Sequence, residues 1–381
     1  MKKYIFIFCI LTLMAGICFS AGCVGTPDSS GTSATVTVTD VAGREVIIPA
    51  DPQRIAVSGS GSTRLVAYLG ALDRVVAVDS QDGKTNQTTD VRPYGLANPN
   101  LRTLPTLGTA KGQVDPERLL AASPDLILKS ASGTDLAGEA DELTEKTGIP
   151  VVLYSQYDPG TKPDEFASNL RLLGTVLGKE QRAEEILQYF AEIKQDLDTR
   201  TKDIPNAGKP TLYVGGVSYS GAHGFYSTQP NYLPFRYLHA VNAAAGMDTG
   251  TGTTENAKVA KEQILAWDPD ILFVDLGTLT AANGGSITEL STDPSYNAMK
   301  AVRNGQVYAV LPHTSMGANY ETILSDAYYI GKVLYPEQFS DIDPAKKADE
   351  IYRFVVGEPV FTQLNENVQN LAFTKLEIPL L

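Results

Sequence analysis

Cysteine is nearly missing from this chain. Cys9, Cys18 and Cys23 are the only three in 381 residues, and all fall in the first 23 positions. The body that follows therefore offers no disulfide, no thiolate nucleophile and no thiolate metal site. Histidine is as scarce: His223, His239 and His313 carry no H-x-x-H, H-E-x-x-H or Cys–His spacing. A bare-metal site built by the protein is not expected. A G-x-S-x-G nucleophile elbow is also missing, which argues against an extracellular hydrolase and for a non-enzyme without cofactors. Positive charge is short, 31 Lys and Arg against 44 Asp and Glu, for a net charge of −13. Such a surface repels nucleic acid and suits a soluble extracellular protein. Apolar runs are short too; the longest, Tyr4 to Phe19, spans 16 residues, below the roughly 20 of a membrane span.

That run has the form of a secretory leader. Lys2 and Lys3 make the basic start, and Ser20-Ala21-Gly22 precede Cys23. A small-small-Cys ending resembles a lipobox, whose cysteine is lipidated and becomes the first mature residue. Ser20 stands where Leu is usual, so an uncleaved anchor or plain secretion stays open. Residues 1–22 are thus expected as signal peptide and residues 23–34 as a flexible tether without apolar pattern. Each version places the protein outside the cytoplasm, on the outer face of the cytoplasmic membrane or in the periplasm.

What the body does contain is a repeat. Val114–Asp125 reads V-D-P-E-R-L-L-A-A-S-P-D and Val259–Asp270 reads V-A-K-E-Q-I-L-A-W-D-P-D, 145 residues apart. That spacing is about one domain length, too long for a solenoid. Each copy runs into an apolar strand, Leu126–Leu128 or Ile271–Val274. The repeat is either an ordinary helix–turn–strand unit met twice or the mark of two similar lobes.

The rest of the pattern favours two lobes. A hairpin over Thr35–Asp40 and Glu45–Ile48 is followed by strand–helix alternation: Arg54–Val57, Thr63–Leu69, Val75–Val78, Glu117–Ala122, Leu126–Leu128, Leu136–Thr147 and Val151–Tyr154. Such alternation predicts an α/β lobe with a mostly parallel sheet flanked by helices. Helical periodicity then takes over from Asp164 to about Arg200, broken near Gly178-Lys179. A second α/β series begins at Thr211–Val214 and ends in helices. The expected organisation is an N-terminal lobe over 35–162, a helical linker over 163–205 and a C-terminal lobe over 206–381. A long helix between lobes should keep domain motion small.

The opening T-D-V-A-G-R-E-V-I-I-P, the stretch from Arg54 to Val78, the two E-x-[LI]-L-A-x-x-P-D copies, the linker helix and the late A-Y-Y-I-G-K-V-L-Y-P resemble the helical-linker substrate-binding proteins of ABC importers. That class handles ferric siderophores, haem, cobalamin and some oxyanions. The resemblance implies a monomeric lipoprotein that delivers a small molecule to an ABC permease and its ATPase. It implies that Glu117 and Glu262, one per repeat copy, dock the permease by pairing with arginines. Both also suit their helix starts electrostatically. A sensor lipoprotein using the same fold without transport is a further alternative.

Ligands of such folds sit at the carboxyl ends of parallel strands. In the N-lobe the candidates are Ser60, Ser62 and Thr63 with Arg64, then Arg92, Tyr94 and Lys111. The serines precede a helix start and serve either as an anion cradle or as a plain cap and turn. Each arginine alone also reads as a solvated surface residue. In the C-lobe the candidates are His223, Tyr226, His313 and Tyr320, the histidines also reading as polar surface groups. His239 reads as helix packing. The cargo is expected to be a metal complex such as a ferric chelate, with a molybdate- or tungstate-type oxyanion as alternative. Asn86-Gln87-Thr88 matches a glycosylation sequon.

Overall fold

Val, Ile and Leu crowd the strand segments on both faces, as strands covered by helices on each side require. In the computed structural model, which describes residues 34–83, 86–109, 112–131, 135–247 and 256–381, those segments form two parallel four-stranded sheets. The strands are β1 (Thr35–Thr39), β2 (Glu45–Pro49), β3 (Ile55–Ser58), β4 (Val75–Val78), β5 (Leu126–Ser130), β6 (Val151–Tyr154), β7 (Thr211–Gly215), β8 (Ser227–Thr228), β9 (Val241–Asn242), β10 (Ala257–Lys258), β11 (Ile271–Asp275) and β12 (Val307–Val310). The N-lobe sheet runs β4-β3-β5-β6 and the C-lobe sheet β9-β7-β11-β12. In each, the first strand of the sheet lies between the second and the third. The leader, Cys23 and Lys111 fall outside the described residues.

The hairpin β1–β2 pairs antiparallel, Val38 opposite Val46. Its turn is held by Asp40, whose Oδ1 accepts from the N–H groups of Ala42 and Arg44. Arg44 closes on Asp40 at 2.6 Å and donates to the Val151 carbonyl, fixing the hairpin to β6.

The repeat has a structural job in both lobes. The helices Pro116–Ala122 and Lys261–Trp267 each end on a left-handed residue, Ser123 (φ 50°) or Asp268 (φ 41°). The Pro-Asp that follows turns the chain into β5 or β11. Asp125 accepts from the N–H groups of Gln53 and Arg54 at the entrance to β3. Asp270 accepts from the Thr211 N–H and hydroxyl at the entrance to β7. The same carboxylate pins the same corner twice.

Between the lobes run the helices Pro163–Leu177 and Glu180–Thr201, separated by Gly178 at φ 61°, a left-handed conformation that suits glycine. The apolar stripes expected along them are buried, from Leu170 and Leu173 to Ile193 and Leu197. The second helix is about 33 Å long. Its Phe190 stacks near Phe166 and meets Tyr68 edge-on, and Tyr320 of the C-lobe meets both Phe166 and Tyr68. One apolar cluster thus runs from the N-lobe sheet through the linker into the C-lobe. Residues 34–381 are one compact unit.

Candidate functional site

The carboxyl ends of β3, β4, β7, β11 and β12 carry the loops that bear most of the sequence-predicted site. After β3, Gly59 and Gly61 take positive φ, and Ser62 Oγ donates back to the Ser58 carbonyl at 2.8 Å. The Ser62 hydroxyl is therefore committed within its own turn. Gln156 Nε2 donates to the Ser60 carbonyl, and Asp79 at the end of β4 gathers the N–H groups of Gly59 and Gly112.

Arg64 and Arg92 are not solvated surface residues; they are 0% and 1% exposed. Arg92 is ringed by carboxylates. Its Nε and Nη2 donate to Asp90 at 2.8 and 2.9 Å, and its Nη1 donates to Asp82 at 2.5 Å. Arg102 adds a second contact to Asp90, and Thr63 Oγ1 and Tyr94 Oη donate to Asp82. Burial opposes the Arg92 charge, yet Tyr94, Asp90 and Asp82 hold it above its usual guanidinium value. The Tyr94 ring lies about 5 Å from both guanidinium groups. Burial foremost pushes its phenol well up.

Arg64 reaches across to the other lobe. Its Nε donates to Asn319 Oδ1 at 3.2 Å, and its Nη2 to the carbonyls of Ser315 and Met316 at 3.2 and 2.9 Å. Nearby, Tyr68 donates to Glu321 Oε2, and Tyr320 Oη donates to the Tyr157 carbonyl. Tyr320 thus serves interlobe packing.

The C-lobe wall has another character. On the loop after β7, the His223 ring lies 4.1 Å from Tyr219 and 6.2 Å from Tyr226, all three half-buried. His223 Nε2 contacts the Tyr219 carbonyl at 2.7 Å. Beneath it, His313 is buried, with Nδ1 3.7 Å from Asp275 Oδ2 and its ring 5.5 Å from Tyr232. Asp326 Oδ1 accepts from the Leu311 N–H. Asp275 Oδ2, Asp326 Oδ2, His313 Nδ1 and the Tyr232 hydroxyl have no hydrogen-bond partner among the described residues. Burial lowers His313 to about 4, raises Asp275 to about 8 and pushes Asp326 well above the carboxylate range.

His239 is not helix packing. It sits at φ 50° in the turn after the Leu233–Tyr237 helix, exposed, with Nε2 2.9 Å from Asp198. Glu117 and Glu262 are exposed in the first turns of the repeat helices. Asn86 is exposed, with Oδ1 accepting from Thr88. A cavity of about 620 Å³ is lined by Tyr189, Asp196, Arg200, Tyr328 and Glu350 of the linker and C-terminal helices, away from the strand ends. Its Arg200 is already paired with Asp196 and Asp341.

Sequence reasoning missed Asp79, Asp82, Asp90, Gln156, Asp275, Glu321 and Asp326. One signal was available: Val78-Asp79 and Val274-Asp275 each end an apolar strand in a carboxylate.

Comparison with known proteins agrees with this architecture. A periplasmic binding protein family model matches residues 55–313. YvrC of Bacillus subtilis, described as an uncharacterised ABC transporter substrate-binding lipoprotein, is 22% identical over 90% of this chain and all of its own length. The Fe(3+)-citrate-binding protein YfmC of the same organism is 23% identical over 69% of this chain and 77% of its own. Among solved structures, the molybdate-bound MolA of Haemophilus influenzae superposes with a TM-score of 0.62 at 20% identity, covering 84% of this chain and 98% of MolA.

Proposed function

Because this chain belongs to the periplasmic binding protein family, as an extracytoplasmic substrate-binding protein of an ABC importer, we propose that its cargo is a metal complex of the ferric siderophore or ferric chelate kind. It binds in the crevice between the two sheets. The observation that carries this reading is the half-exposed Tyr219–His223–Tyr226 group on the loop after β7. Aromatic faces suit the organic framework of a chelate, and the histidine adds one polar contact. Arg92, by contrast, spends its charge on Asp82 and Asp90. That leaves little net positive charge there for a small oxyanion.

The oxyanion reading keeps one supporting observation. Arg64 holds two carbonyl oxygens on one nitrogen, the kind of contact a molybdate- or tungstate-type anion makes well. YfmC and MolA bind one cargo of each kind. Native mass spectrometry with ferric citrate, other ferric chelates, cobalamin, haem and molybdate separates the readings. A one-to-one chelate complex is expected; silence for every chelate together with saturable molybdate binding overturns the choice.

In this proposal the chain works by binding and handing over, without turnover and without a resident cofactor. Glu117 and Glu262 dock the permease and Cys23 carries the lipid. Glu117→Ala and Glu262→Ala should lower uptake in a reconstituted transporter several-fold and leave cargo affinity unchanged. A fall in affinity would place these residues in the crevice instead.

A further inference from the structure

The loop after β12 ends in a tight tip. Thr314 and Ala318 form an antiparallel bridge, and the Ser315 N–H donates to the Gly317 carbonyl at 3.0 Å. Met316 and Gly317 take positive φ, 53° and 94°. This tip presses into the N-lobe. A Cβ added to Gly61 would stand 1.9 Å from the Met316 carbonyl oxygen, and one on Gly317 would stand 3.1 Å from Arg64 Nη1. Two glycines, one per lobe, permit the approach.

The charges at this contact are unequal. Arg64 has as its acceptors Asn319 Oδ1, Gln156 Oε1 and the carbonyls of Ser315 and Met316, all neutral. The buried acid near it, Glu321, is taken up by Tyr68 on one oxygen and has no hydrogen-bond partner among the described residues on the other. Met316 also lays its sulfur 3.1 Å from Arg92 Nη1. A buried guanidinium held by neutral oxygens is less well compensated than one paired with an anion. Anionic oxygens make the stronger hydrogen bond.

We propose that the tip Ser315–Gly317 is an internal stand-in for the cargo. Its carbonyl oxygens occupy on Arg64 the places that anionic oxygens of the cargo take, and Met316 is the residue the cargo displaces. This rests on the crevice being the binding site. The shared chemistry is an anionic oxygen, supplied by a chelate's carboxylate or by an oxyanion. The tip then sets specificity: cargo without such an oxygen gains nothing by expelling it. It also sets affinity, because the observed constant is weakened by the fraction of molecules with the tip seated.

Gly61→Ala is the direct test, because its Cβ cannot coexist with the seated Met316 carbonyl. Affinity is measured for ferric citrate and for molybdate by calorimetry. If the tip is seated in most free molecules, the variant binds whichever probe the wild type binds on the order of tenfold more tightly. Met316→Leu removes the sulfur from Arg92 but keeps the carbonyls and the positive φ, so it gives a smaller gain. Folded variants, matched to wild type by circular dichroism, with unchanged or weaker affinity overturn the proposal. If neither probe binds the wild type, the tip is judged in the free chain. Amide exchange of residues 315–319 should then rise on the order of tenfold in Gly61→Ala by the loss of the seated state. Unchanged exchange overturns the proposal there.

Discussion

Each lobe buries a group of carboxylates behind the crevice, and the two lobes neutralise them in opposite ways. In the N-lobe, Asp82 and Asp90 face Arg92, with Arg102 beside Asp90. In the C-lobe, Asp275 and Asp326 face Tyr232 and His313, and among the described residues no Lys or Arg pairs with either. A permanent cation holds the first group together. The second reaches neutrality by holding protons, so it responds to pH and leaves polar atoms unpartnered. The difference teaches where rigidity and responsiveness lie: the N-lobe floor is an ionic lattice, and the C-lobe floor is a titrating one.

The largest expected effect breaks the ionic side. Arg92→Met strands Asp82 and Asp90 without their shared cation and should cost about 3–5 kcal/mol, read by urea unfolding. A cost below about 1 kcal/mol would mean that Arg102 alone balances the group.

A smaller effect marks the other side. Asp275 is pushed up to about 8 and is neutral in the fold at pH 7. Folding at pH 7 must therefore bind a proton there that the unfolded aspartate lacks, so Asp275→Asn should not lower stability at pH 7 and should raise it. The same exchange at Asp90 removes a charged partner of the buried Arg92 and should instead lower stability by about 3 kcal/mol. Equal costs would erase the contrast between the lobes.

The finest test is the pH profile of the melting temperature. An unfolded aspartate titrates near 3.9 and an unfolded histidine near 6.5. Because the folded Asp275 value is raised, its contribution is present at low pH and is lost as pH climbs toward 8. Asp326 moves the same way. His313, lowered to about 4, acts oppositely: its contribution is lost as pH falls from about 6.5 toward 4. Below pH 6.5 the two trends oppose, and above it only the acids act. The melting temperature should fall by a few degrees between about pH 6.5 and 8. Asp275→Asn should flatten that slope. A flat wild-type profile would show that Asp275 is ionised.

Periodicity made most of the fold legible. The two-lobed α/β plan, the Gly178 break and the linker stripes all follow from local apolar spacing, which the structure has no reason to override. The repeat marked the same corner in both lobes, although the pinning role of Asp125 and Asp270 shows only once β3 and β7 stand beside them. The crevice was legible in part. Arg64 and Arg92 were singled out, but their burial was not foreseen, because it depends on partners such as Met316, 252 residues from Arg64. His239 was misread because Leu233–Tyr237 stops short of it and the left-handed turn has no strong local signal. Asp275 and Asp326 escaped because a lone aspartate looks solvated until two elements close over it.

The aromatic junction of Tyr68, Phe166, Phe190 and Tyr320 has a consequence for how the molecule comes apart. The larger apolar cluster is shared by both halves, so losing one half strips cover from the core of the other. Calorimetry of the chain should therefore show a single endotherm whose measured enthalpy equals its van't Hoff value. A protein of two lobes should melt as one.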